Sequence, residues 1–279
     1  MMGAGNSADA AAVGEIEEFA RRIRIEALKM VNHAGASHIG SAFSIADIVA
    51  CLYGRVMTMS FNDMAYEGRD RLILSKGHAC TAIYAALAIK GAIPLEDLRS
   101  YGDNESSLMN HISHHVTGVE FSTGSLGHGL GFGAGKAYAA KKKQEKWDTY
   151  VILSDGELGE GSNWEAFMFA AHHQLDNLYA VIDYNKLQSL TTIDKTLRLE
   201  PLADKLAAFG WNVLEADGND VKAMLASFAA GQKETMRPTA IIAHTIKGKG
   251  VSYMENKVEW HYRTPKDDLF EQAMQELSK

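Results

Sequence analysis

Residues 150–153, 178–182, 211–214 and 239–243 are short apolar runs, clearly interrupted only at Asn212, and stretches of helical spacing at 162–175, 201–209 and 219–231 separate them. A strand with one wet face alternates apolar and polar residues. A continuous apolar run needs cover on both faces, which parallel sheets built from strand–helix–strand units provide. The pattern therefore predicts an α/β fold: a doubly wound, mainly parallel sheet with helices on both faces. Upstream, helical spacing covers 15–32, 44–57, 78–90 and 126–145, and residues 71–75 read as a further short strand. Residues 99–123 are polar, histidine-rich and aperiodic, and a loop that long inside a domain is usually functional. With 279 residues, 46% of them hydrophobic, the chain can bury one large core, expected over 13–279. The Ala/Gly-rich residues 1–12 are expected to be a disordered tail.

In such sheets ligands sit beyond the carboxyl ends of the strands. Run 150–153 leads directly into Asp155-Gly156 and then a helix near Ser162; run 178–182 leads into Asn185. Parallel strands joined by a helix bring both ends to one edge of the sheet. A carboxylate, an amide oxygen and a backbone carbonyl there are hard ligands of the kind Mg²⁺ takes, shared with phosphate oxygens and water. Gly156 lets the backbone approach a phosphate closely, and the next helix offers free N–H groups to the same anion. Either piece alone reads as an ordinary βα turn or a helix cap. Together, about thirty residues apart on consecutive strands, they favour a metal–phosphate site.

This Asp-Gly…Asn pair resembles the signature of thiamine diphosphate enzymes, and the surrounding sequence resembles the N-terminal part of transketolases over nearly the whole chain after the tail. His38-Ile39-Gly40 resembles the family's early histidine–glycine segment. Ser75-Lys76-Gly77-His78 resembles its "SxGH" segment. Residues 118–129 resemble "GVExxTGxLGxG". The resemblance implies that Asp155, Asn185 and the carbonyl of Leu187 ligate Mg²⁺, and that Gly124, Leu126, Gly156 and His78 touch the cofactor. It implies that His38, His78, His111 and His261 line the channel and handle protons or the sugar. Glu160 and Glu165 match acidic residues near the subunit interface, Glu160 being tied to cofactor activation between active sites.

The match has departures. Ser154 stands where a glycine usually precedes Asp-Gly, and Tyr184 replaces the first of an Asn-Asn pair; neither removes a ligand. Tyr262 stands where a glycine normally follows the histidine, so Tyr262-Arg263 leaves the sugar open. Competing readings of other residues are weaker. His111, His114 and His115 lack the spacing of a zinc site. His172 and His173 are helix neighbours that cannot face the same way. The glycines at 127, 129, 131, 133 and 135 do not form a Walker P-loop; a cofactor at the helix start accounts for the first two.

A net charge of −7 argues against nucleic acid or an acidic membrane as partner, and the basic run 141–143 suits a helix C-terminus. No apolar run approaches the ~20 residues needed to span a bilayer, and no secretory pattern is present. Cys51 and Cys80 lie in apolar stretches and read as reduced thiols, which fits a cytoplasmic protein. In transketolases the activating glutamate and much of the sugar-phosphate grip come from a second, pyrimidine-binding domain that no segment here resembles. The resemblance thus implies one half of a split enzyme, joined in an α2β2 assembly with a C-terminal subunit and transferring a two-carbon ketol unit between sugar phosphates. Rival readings are a deoxyxylulose-phosphate synthase-like or 2-oxo-acid dehydrogenase-like subunit, or a non-catalytic regulatory subunit.

Overall fold

In the computed structural model, which describes residues 3–279, five strands form one all-parallel sheet. They are β1 (Arg71–Leu74), β2 (Thr149–Ser154), β3 (Leu178–Tyr184), β4 (Asn212–Asp217) and β5 (Thr239–His244), ordered β1-β2-β3-β5-β4. Every residue of β2 and β3 is buried, whereas edge strand β4 is half-exposed. That contrast is why the central runs are apolar without interruption and the edge run contains Asn212. Successive side chains part to opposite faces. Tyr150, Ile152, Tyr179 and Val181 enter one core cluster; Val151, Leu153, Ala180 and Ile182 enter the other.

The first cluster is closed by α1 (Gly3–Ala34), α3 (Ala46–Cys51), α4 (Cys80–Ile89) and α9 (Val221–Gly231). The second is closed by α5 (Gly129–Lys143), α6 (Gly161–His172) and α8 (Leu202–Ala208), so the sheet is covered on both faces as the runs require. Helix α4 is buried through Ala88, which matches a sequence apolar all round rather than on one stripe. Short helices α2 (Ile39–Ser44) and α7 (Ile193–Thr196) lie after the His38 segment and after β3.

A third cluster joins Leu28, Ile39 and Phe43 to Val251, Trp260, Ala273 and Leu277, seating α10 (Asp267–Leu277) against α1 and α2. It carries the segment before α10 back to the sheet's carboxyl edge, where the His38 N–H donates to the His261 carbonyl at 2.8 Å.

The expected tail gives way to helix: α1 begins at Gly3, while Met1 and Met2 lie outside the described residues. Alanine is the best helix former, and adding turns to a helix nucleated downstream costs little. Residues 141–143 form the last turn of α5, and Cys51 and Cys80 are buried and unpaired. No described helix is long and apolar enough to cross a membrane.

Candidate functional site

Four strand exits meet at the carboxyl edge of the sheet: Ser75–His78 after β1, Asp155 after β2, Asn185 after β3 and Thr245–Lys247 after β5. They surround a cavity of about 250 Å³ whose lining includes Ser41, Lys76, His78, Leu126, Asp155, Gly156, Asn185, Leu187, Gln188, Lys247, His261 and Tyr262. The loop after β1 is held tight by the "TG" loop. The Thr123 hydroxyl donates to the Leu74 carbonyl at 2.6 Å, and a β-carbon on Gly77 would lie 2.2 Å from the Thr123 carbonyl oxygen. Only glycine fits there, and that fit sets the course of the chain into His78.

Asp155 is 1% exposed. Its carboxylate accepts the Gly156 N–H at 2.7 Å and the Lys186 N–H at 2.5 Å. Burial, and then the nearby Asp183 charge, raise its pKa to about 7 despite those donors. Lys76 offsets this only in part, and a hard cation beside the carboxylate would favour its charged form further. Asn185 is oriented on both sides: its Nδ2 donates to Asp183 Oδ2 at 3.1 Å and its Oδ1 accepts the Leu187 N–H at 3.0 Å. The second bond requires the chain to double back, which Lys186 achieves at φ 68°. Asp155, Asn185 and Leu187 thus line one cavity, and a carboxylate, an amide oxygen and a backbone carbonyl are the kinds of oxygen donor that suit Mg²⁺.

Beside these oxygens stand imidazoles. Ring centroids of His38 and His78 are 5.0 Å apart, His38 and His261 5.0 Å, His78 and His261 5.5 Å, and His38 and His111 5.8 Å. Burial, followed by His111 and the lysines, lowers the His38 pKa to about 4; burial and Lys247 lower that of His261 to about 3. His78 is pushed well below its usual value by burial and Lys76, and His111 is lowered by desolvation. These rings are neutral at pH 7, so each both donates and accepts a hydrogen bond. Lys247 Nζ lies 2.9 Å from His261 Nδ1 and donates to the carbonyls of Leu187 and Gln188 at 3.3 and 3.2 Å. An ammonium accepts nothing, so His261 Nδ1 is the acceptor and the proton sits on Nε2.

The structure therefore brings His78, Leu126, Asp155, Gly156, Asn185, Leu187 and His261 into one cavity lining, with His38 packed on its two histidines and His111 packed on His38. Gly124 lies exposed at the rim, where a β-carbon would sit 3.9 Å from the His111 ring. Glu160 and Glu165 are exposed at the start of α6 and outside the lining. The glycines at the start of α5 have a different cause from the one expected. A β-carbon on Gly127 would meet Glu160 Cβ at 2.7 Å and one on Gly129 would meet Ser75 Oγ at 2.4 Å, so the chain's own packing excludes larger residues.

Sequence reasoning missed three charged residues. Lys76 and Asp183 form an ion pair buried at 1% and 0% exposure, and Lys247 is 1% exposed. A signal existed: Asp183 interrupts an apolar strand, and a buried acid demands a buried cation. Glu157, fully buried, was missed as well. It accepts from the Ser75 hydroxyl, the Gly127 N–H and the Ser154 N–H, and so binds the loop presenting Leu126 to the exits of β1 and β2.

Residues 16–278 match the family described as "Transketolase, thiamine diphosphate binding domain". An apulose-4-phosphate transketolase subunit of Phocaeicola vulgatus is 39% identical over 96% of this chain and 95% of its own length. The 6-deoxy-6-sulfo-D-fructose transketolase subunit SqwG of a Clostridium species is 37% identical over 95% of this chain and 97% of its own. A transketolase structure from Leishmania mexicana superposes with a TM-score of 0.89 at 26% identity, covering 95% of this chain but 41% of that one.

Proposed function

The chain belongs to the transketolase family, as its thiamine diphosphate-binding domain, and from that premise we propose that it is the cofactor-anchoring subunit of a two-chain, Mg²⁺-dependent transketolase. The observation that carries this reading is the meeting of Asp155, Asn185 and Leu187 with a neutral histidine cluster in one cavity. Asp155, Asn185 and the Leu187 carbonyl would hold the metal, with Gly156, His78, Leu126 and Gly124 against the cofactor. Bound thiamine diphosphate supplies the nucleophilic carbon and electron sink needed to cleave a ketose beside its carbonyl.

The chain's own residues then do the positioning. Lys247 donates to His261 Nδ1 and leaves Nε2–H to donate into the cavity. His38 and His78, neutral and 5.0 Å apart, can take a proton from a sugar hydroxyl or return one to an alkoxide. Asp155 shares the cavity lining with Lys76 and Lys247, so the cavity mixes signs and would accommodate a metal–diphosphate pair.

Relatives of the same length that are named as single subunits of transketolases support a separate partner, here the pyrimidine-binding C-terminal subunit supplying the activating glutamate. We assign the assembly as α2β2, with Glu160 and Glu165 at its subunit contacts. The transferred group is a two-carbon ketol unit passed from a ketose phosphate to an aldose. Two buried, unpaired cysteines fit the cytoplasm as its location. The test is a donor comparison in the assembled enzyme: ketose phosphates are turned over and pyruvate is not. Preference for pyruvate, with carbon dioxide released, overturns the assignment.

A further inference from the structure

We propose that Asp183 is a positioning residue: it fixes which face of the Asn185 amide is turned to the metal and so sets Mg²⁺ affinity without touching the ion. The inference rests on the reading of Asn185 as a ligand.

Asp183 is the last residue but one of β3 and is fully buried. Its Oδ1 accepts from the Thr245 hydroxyl. Its Oδ2 accepts from the Ser44 hydroxyl at 2.7 Å, from the Lys76 ammonium and from Asn185 Nδ2 at 3.1 Å. Four donors from four segments thus converge on one carboxylate, which cannot rotate without breaking several bonds at once. A side-chain amide has nearly the same shape in its two orientations, so hydrogen bonds alone decide where its oxygen points. A flipped Asn185 would set its oxygen against the Asp183 carboxylate and its NH₂ against the Leu187 N–H, losing both present bonds. The charged partner contributes the stronger of the two. Lys76 neutralises that charge, so the acid can be kept inside the sheet where a neutral residue would pack more cheaply.

Thr245 provides a control. Its hydroxyl donates to Oδ1 and makes no hydrogen bond to Asn185, so Thr245→Val disturbs the same hub and leaves the amide's own bonds in place. The experiment is an Mg²⁺ titration at saturating thiamine diphosphate in the assembled enzyme, read by calorimetry, with melting curves alongside. The double variant Lys76→Met/Asp183→Ala removes both charges and strands neither. It is expected to weaken Mg²⁺ binding about 10–100-fold, as loss of a ligand's outer partner does. Thr245→Val is expected to lower Tm and leave Mg²⁺ affinity within about twofold, well below that outer-partner range.

Equal losses in both variants, tracking Tm, would reduce Asp183 to a structural role and overturn the proposal. Unchanged Mg²⁺ affinity in the double variant would also overturn it, provided Asn185→Ala abolishes binding. Unchanged affinity in Asn185→Ala would sink the ligand reading itself. Should the double variant fail to fold, NMR of the wild-type chain decides. The Asn185 side-chain amide is expected to be shifted downfield and slow to exchange, and an amide exchanging like a free surface one contradicts the proposal.

Discussion

Asp148 and Asp155 show how the same carboxyl group is put to different ends by its surroundings. Asp148, at the opposite edge of the sheet from the cavity, has its pKa raised from 3.8 to about 7 by burial and then by Asp70. A folded-state pKa above the unfolded one means the stabilising contribution is complete below the ordinary value and is lost as pH rises through the folded one. Stability should therefore fall between about pH 4 and pH 7, and Asp148→Asn should flatten that fall and raise Tm at pH 8. A pH profile of Tm unchanged in the variant would show that Asp148 does not carry the effect. For Asp155, the raised pKa accompanies a cavity that Asn185 and Leu187 also line. Asp155→Ala should weaken Mg²⁺-dependent cofactor retention by at least about 10-fold in the assembled enzyme, the scale of losing more than an outer-shell partner. Retention measured by equilibrium dialysis that stays at the wild-type level contradicts the metal assignment. The ion pair offers a third case. Lys76→Met alone leaves Asp183 buried without its cation and should cost about 3–5 kcal/mol in chemical denaturation. Partial recovery of stability on adding Asp183→Ala to that variant would attribute the cost to the stranded charge.

At the scale of elements, α5 separates packing from propensity. A β-carbon on Gly133 would lie 2.4 Å from Val151 on the sheet, while one on Gly131 meets nothing within 4 Å. Gly133→Ala should therefore destabilise the chain by pushing α5 off β2. Gly131→Ala should stabilise it by up to about 1 kcal/mol, the helix preference of alanine over glycine. Urea melts of the two variants check both signs. A Gly131→Ala loss confined to the assembled enzyme would mark that face of α5 as buried against another subunit. The central strands were legible because burial on both faces writes itself as unbroken apolar runs, and the half-exposed edge strand β4 through the run interrupted at Asn212. Asp155 and Asn185 were legible because each directly follows such a run. Lys247 was not: it follows β5 in a polar stretch, and nothing local distinguishes a lysine turned inward from one in solvent. The first turns of α1, within the expected tail, are alanine-rich, a composition that favours helix.

At the scale of the whole molecule, the sheet's carboxyl edge gathers oxygen donors, two buried lysines and neutral imidazoles. The exposed Glu160 and Glu165 at the start of α6 lie outside that cavity. Among transketolases, this chain matches nearly the full length of proteins named as subunits but 41% of the Leishmania mexicana transketolase chain. That contrast supports the proposed two-chain assembly. The direct measurement is a ketol-transfer assay of the purified chain with thiamine diphosphate, Mg²⁺, a ketose phosphate and an aldose acceptor, before and after addition of the pyrimidine-binding subunit. No turnover is expected from the chain alone, and turnover is expected once the second subunit is present. Sustained ketol transfer by the purified chain without a partner would contradict that assembly.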